Sequence, residues 1–205
     1  GLGLTARDDA LGRISDRAAA AMGRMLWDRR LADVNRLLDG YGQPRLSTLF
    51  EMLERPDRVL VFTSAAFEIG GGANAPANVV YCGPRLEDPD WTAEWTEPEG
   101  PGPLVLVSLS TTTQNQNRMI RNILEALGRL PVRGLVTTGP SVRADDFEVP
   151  ANVTLVESAP HSLVMSRAAA VVTHAGHGTV IKSLASGVPL LCMPVGRDQP
   201  DSAAR

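Results

Sequence analysis

From Leu104 onward the chain keeps one rhythm: a short unbroken apolar run, then a stretch with helical spacing, several times over. Residues 104–109 form the first continuous apolar run. Residues 115–128 then place Met119, Ile120, Ile123, Leu124 and Leu127 at helical spacing. Residues 134–138 and 153–156 read as strands, 160–168 as a short helix, 170–173 as a strand, 179–185 as a helix and 189–193 as a strand. Strands that are apolar at every position, not at alternate ones, are buried on both faces. Alternation with helices then requires a parallel sheet built from right-handed crossovers. The predicted fold class is α/β, with a Rossmann-like sheet domain over residues 103–205.

The first 83 residues read differently. Apolar positions from Leu11 to Leu38 recur at helical spacing over residues 7–39, with Gly40 and Gly42 as stop signals. Thr5 and Asp8 have the spacing of an acidic capping box. The stripe is expected to serve packing. A second helix is predicted over 46–54, and short strands over 59–63 and 78–82. Between them and the sheet domain lies a stretch with Pro at 84, 89, 98, 101 and 103 and six acids. Apart from Trp91 and Trp95 almost nothing there could build a core. Residues 84–102 therefore read as a Pro-rich, semi-rigid linker between a partial second α/β domain, 1–83, and the sheet domain.

Composition excludes several classes. A net charge of -3 and 4% aromatic residues give neither a basic footprint nor a stacking platform for nucleic acid. No apolar stretch is long enough to span a bilayer, and no signal-peptide pattern opens the chain. Cys82 and Cys192 have neither disulfide-framework nor metal-ligand spacing, so a cytoplasmic, reducing setting and no metal are expected. The chain begins without Met and stops soon after a strand-like run, which reads as a piece of a longer polypeptide.

The chemistry concentrates in residues 171–205. A strand ends at Thr173, and His174, Ala175, Gly176, His177 and Gly178 lead into a helix predicted to open at Thr179. Imidazole, hydroxyl and glycine backbone thus gather at the carboxyl end of a parallel strand, facing a helix N-terminus. That end carries unpaired N–H groups and partial positive charge, which suits phosphate. Gly187-Val188-Pro189, Pro194 and Asp198-Gln199 follow. Asp198 is also a plausible helix cap, and Lys182 suits either a solvated face or a bound anion. For His161, an ordinary first-turn residue is the plain alternative.

This multi-part pattern resembles the nucleotide-sugar signature of GT-B-fold glycosyltransferases, in the bacterial antibiotic and macrolide group of the UDP-glycosyltransferase superfamily. Ser158-Ala159-Pro160-His161 is similar to that family's base-binding loop. Ser108 to Thr111 is similar to the turn after its first sheet strand, and Gly83-Pro84 to the end of its N-terminal domain. The resemblance covers residues 60–205.

It implies a UDP- or dTDP-sugar donor, no cofactor, and inverting, metal-independent hexosyl transfer to a hydroxyl of a small-molecule acceptor, a secondary metabolite or lipid. It implies that His174, Gly176, His177, Gly178 and Thr179 hold the diphosphate, lined by Ser110 and Thr111. Ser158, Ala159 and His161 would meet the nucleobase, and Asp198 and Gln199 the donor sugar. Ser158 stands where plant members have a stacking Trp, and Lys182 where an acid often grips the ribose. The family's general base lies near the start of its N-terminal domain. None of the three histidines here occupies that place, so no catalytic residue is expected in this chain, and the 205 residues alone are expected to be inactive. An NAD-binding reading fails, because the first strand runs into Ser110 and a run of Thr, not G-x-G-x-x-G. A GT-B-like epimerase and a degenerate nucleotide-sugar binder stay open.

Overall fold

A computed structural model of the chain describes residues 9–68, 72, 75–90, 92, 94–110 and 116–205. Thr5, Asp8, Trp91 and Thr111 lie outside the described residues. The chain divides after Gly83 into two compact units.

The first unit holds helices α1 (Ala10–Asp28), α2 (Leu31–Gly40) and α3 (Glu51–Glu54) and strands β1 (Val59–Val61) and β2 (Val79–Tyr81). Its strands pair in parallel, Val59 opposite Val79. The single long helical pattern is two helices. The Asp9 carboxylate caps α1 by accepting from the Gly12 N–H at 2.6 Å. At the other end of α1, the Asp28 carboxylate accepts from the Thr48 hydroxyl at 3.0 Å and the Leu49 N–H at 2.8 Å. Those bonds hold residues 47–49 in a turn, which shortens the helix expected over 46–54 to Glu51–Glu54. Gly42, at φ 64°, closes α2: Gln43 N–H reaches the Leu38 carbonyl and Gly42 N–H that of Asp39. The stripe expected to pack is exposed instead at Leu11, Ile14, Met22, Met25 and Leu26.

The second unit is built on five parallel strands in the order β5-β4-β3-β6-β7: β3 (Leu104–Ser108), β4 (Arg133–Thr137), β5 (Val153–Val156), β6 (Ala168–Thr173) and β7 (Leu190–Cys192). Register explains the core. Leu106 lies between Leu135 and Val171, and all three belong to one buried cluster. One step on, Val107 lies beside Val136 and turns to a second cluster on the opposite face. Helix α4 (Asn117–Gly128) covers that face with Ile120, Ile123, Leu124 and Leu127, one stripe at i, i+3, i+4 and i+7. Each such buried side chain contributes about 1.5–3 kcal/mol. Helix α5 (His161–Met165) covers the other face with Val164 and Met165, and α6 (His177–Ala185) packs beside it.

Among the described residues of 84–102 no regular element occurs, yet the segment belongs to this second unit. It is tied down along its length. Trp95 packs against the cluster around Leu106. Glu97 bridges Arg133 at 2.8 Å and Arg167 at 2.7 Å, residues at the starts of β4 and β6. Arg167 first and Arg133 second hold the Glu97 carboxyl below the usual carboxylate range. After β7 the described chain continues into a short helix, α7 (Gln199–Ala204). Among the described residues no helix is long and apolar enough to cross a membrane.

Candidate active site

Strand β3 leads to α4 on one face of the sheet, and β6 leads to α6 on the other. The strand order reverses between them, and open parallel sheets bind ligands outside the strand ends at such a point. A cavity of about 400 Å³ opens there. It is lined by Ser110, Ser158, Ala159, His161, His174, Gly176, His177, Gly178, Thr179, Asp198 and Gln199, all named from sequence. Thr111 lies outside the described residues.

The helix begins two residues earlier than its pattern predicts. Gly176 is the N-cap of α6, in extended conformation, and His177 is its first residue. The helical ladder starts with Val180 N–H to the Gly176 carbonyl at 3.1 Å. Residues 177–179 therefore form the first turn, the part of a helix whose N–H groups lie outside its own ladder. All three residues line the cavity at the positive end of the helix dipole, where an anion is favoured. Ala175 makes the sharp step before them at φ 65°, with its N–H donating to the Thr173 hydroxyl at 3.2 Å. Lys182, expected in the first turn, falls in the last turn of α6, where a cation suits the dipole.

His174 is half-buried at the end of β6. Its Nδ1 lies 3.3 Å from the Ser108 carbonyl oxygen. Its Nε2 lies against Gly176, where an added Cβ would be 2.6 Å away. The free ring nitrogen is thus held at the cap of α6. Burial lowers the His174 pKa from its usual value. The Ser108 hydrogen bond and the Asp198 charge oppose that shift, and Arg197 adds to it. Across the crevice the Ser108 and Thr179 hydroxyls meet at 3.1 Å, so the end of β3 is joined to the first turn of α6.

His161 opens α5 and faces the other end of the cavity. The Thr137 hydroxyl donates to the Val107 carbonyl at 3.2 Å and accepts from His161 Nε2 at 3.1 Å, which fixes that nitrogen as N–H. Burial first and the Lys182 ammonium second push the imidazole down to about 4, against the opposing charge of Asp88. Lys182 is not on a solvated face. It is paired with Asp88, a residue no sequence pattern singled out.

Three placements refine the expected roles. The Ala159 side chain is 3% exposed and belongs to the apolar core, although the residue also lines the cavity. Gln199 is buried, and its Oε1 accepts from the Val195 and Gly196 N–H groups at 2.8 and 3.0 Å, closing the loop after β7. Asp198 is exposed at the cavity rim and occupies the N-cap position of α7 without a side-chain capping bond. Ser110 is held by a residue that sequence reading missed. The buried Gln116 amide accepts from Ser110 N–H at 3.2 Å and donates to the Ser110 carbonyl at 2.9 Å.

Comparison with known proteins agrees with this architecture. The family model described as "UDP-glucoronosyl and UDP-glucosyl transferase" matches residues 77–205. The 4'-demethylrebeccamycin synthase of Lentzea aerocolonigenes is 33% identical over 214 residues, covering 100% of this chain and 50% of that protein. The chain spans half or less of the length of the curated relatives it matches. The crystal structure of the glycotransferase of kitacinnamycin superposes with TM-score 0.70 at 25% identity, covering 91% of this chain and 50% of that one. The calicheamicin glycosyltransferase CalG4 shares the fold, with TM-score 0.62 at 24% identity over 84% of this chain and 42% of that one.

Proposed function

Because the chain belongs to the UDP-glucoronosyl and UDP-glucosyl transferase family, we propose that its second unit binds the nucleotide diphosphate of a UDP- or dTDP-sugar. The whole protein then transfers the sugar, with inversion and without a metal, to a hydroxyl of a small molecule. The observation that carries this reading is the position of His174 Nε2 over the Gly176 cap of α6, at the switch point of the sheet.

The chemistry follows from that position. As an acceptor oxygen displaces the nucleotide, the bond from the anomeric carbon to the diphosphate oxygen breaks and negative charge grows on the leaving group. The N–H groups of residues 177–179, the His174 imidazolium and the Thr179 hydroxyl would meet that charge without having to reorganise. Asp198 at the rim would meet the hydroxyls of the sugar, and the loop of Ser158 and His161 the nucleoside; that all three line the cavity supports these roles. The names of the rebeccamycin relative and the kitacinnamycin neighbour support a secondary metabolite as acceptor.

Calorimetric titration of the 205-residue chain with UDP, dTDP and GDP tests the donor class. Binding of the pyrimidine nucleotides in preference to GDP supports it. Equal binding of all three, or of none, overturns it.

A further inference from the structure

The segment ahead of the sheet is itself a wall of the cavity: Asp88, Pro89 and Thr92 line it together with His161 and His174. Four bonds fasten that segment. The Asp88 carboxylate accepts from the Ser162 N–H at 2.9 Å and from Lys182 Nζ. Lys182 Nζ also donates to the Glu87 carbonyl at 3.0 Å, and the Ser162 hydroxyl donates to that of Leu86 at 2.6 Å. The Lys182 and Asp88 side chains are only 12% and 14% exposed, and Lys182 is the sole lysine of the chain. A shielded ion pair is a poor source of net stability, because desolvation offsets most of its attraction. What it supplies is geometry.

The cavity has two ends that can be told apart by charge. His174 feels Asp198 and Arg197, whereas His161 feels Lys182 and Asp88. The latch therefore stands at the end away from the anion-binding cap of α6. We propose that Lys182 and Asp88 are a positioning pair that clamps residues 86–90 onto α5 and α6 and so shapes the nucleoside end of the donor cavity. The proposal rests on the donor-site reading for the identity of the occupant. The clamp itself does not. It makes the segment entering the second unit part of its binding site, so that loosening the segment loosens the grip on the nucleoside and leaves the diphosphate contacts in place.

The test uses the 205-residue chain with Lys182→Met and, as a milder variant that keeps side-chain size, Asp88→Asn. Two readouts are taken: hydrogen exchange of residues 86–90 without ligand, and affinity for UDP against pyrophosphate. Both variants are expected to exchange faster at 86–90 with β3 and β6 unchanged. They should bind UDP about tenfold more weakly while pyrophosphate changes less than about twofold, a loss equal to one hydrogen-bonded contact. Lys182→Arg should recover both readouts. Unchanged exchange at 86–90 overturns the clamp, and so does an equal loss of UDP and pyrophosphate. A wild-type chain that binds neither ligand overturns the donor-site reading, while the exchange result still decides the clamp.

Discussion

The imidazole Nδ1 of His174 meets the Ser108 carbonyl oxygen at 3.3 Å, tying the end of β6 to the end of β3 where the sheet reverses its order. A carbonyl only accepts, so Nδ1 carries the proton. The neutral ring then has a lone pair at Nε2, the atom that faces the cap of α6. A diphosphate also offers acceptors. The two are compatible only when the ring is an imidazolium.

Donor binding is therefore expected to take up a proton. In the free chain, burial first holds the His174 pKa below its usual value. The Ser108 bond and Asp198 pull it back, and Arg197 works with burial. A bound anion raises the pKa in the complex. Affinity should be constant below the pKa of the free chain, fall by up to about tenfold per pH unit above it, and level off only above the pKa of the complex. Calorimetry of UDP binding at pH 7 in buffers of different ionisation enthalpy reads the uptake directly. No uptake, with affinity flat from pH 6 to 9, contradicts the assignment.

Gly176→Ala is expected to mimic loss of the histidine. An added Cβ would lie 2.6 Å from Nε2 and 2.9 Å from Cε1 of the ring. The backbone at Gly176 is extended, which alanine adopts freely, so the ring moves and the fold stays. UDP affinity should drop by about tenfold or more while the melting temperature changes by no more than about 2 °C. A large loss of stability with affinity intact would place the role of Gly176 in the fold.

The sheet was legible in the sequence because burial on both faces removes any alternation from a strand. Leu104 to Ser108 can only be central. The gathering of His174, Gly176 and Thr179 was legible for the same reason, since a strand end and the next helix start are neighbours in the chain. The exact start of α6 was not. Glycines at 176 and 178 hide the first turn, because their propensity argues against helix while position at a cap favours it. For helix α7 the sequence offered only its start, Asp198 as a cap followed by an early proline, Pro200, and not its extent. Asp88 had no local signal. Its partner Lys182 is 94 residues away, and only the tertiary structure brings the two together.

His161 supplies a stability test that is separate from binding. Its folded pKa is about 4, below the usual 6.5. The unfolded chain therefore holds more protons between those values, and stability falls as pH drops from about 6.5 toward 4. The loss from this group is on the order of 3 kcal/mol. Thermal or urea unfolding across that range should show a shallower slope for His161→Gln, whose amide can still donate to Thr137 without titrating. Identical slopes would mean that His161 ionises as freely when folded.

Gln116→Ala should destabilise the second unit by about 2–3 kcal/mol, because it removes a buried side chain and both of its bonds to Ser110. Urea unfolding measures this. An effect below about 0.5 kcal/mol, the size of an ordinary surface substitution, would show that the Ser110 turn holds itself.

The most direct measurement is the affinity of UDP and dTDP for the chain with His174 and with His174→Ala, by calorimetry at pH 6.5. The account predicts binding by the wild-type chain and a loss of about 1.5–3 kcal/mol in the variant, the size of one hydrogen bond to a charged group, with melting temperature preserved. Equal affinity of the two chains would contradict it, and would move the diphosphate away from the cap of α6.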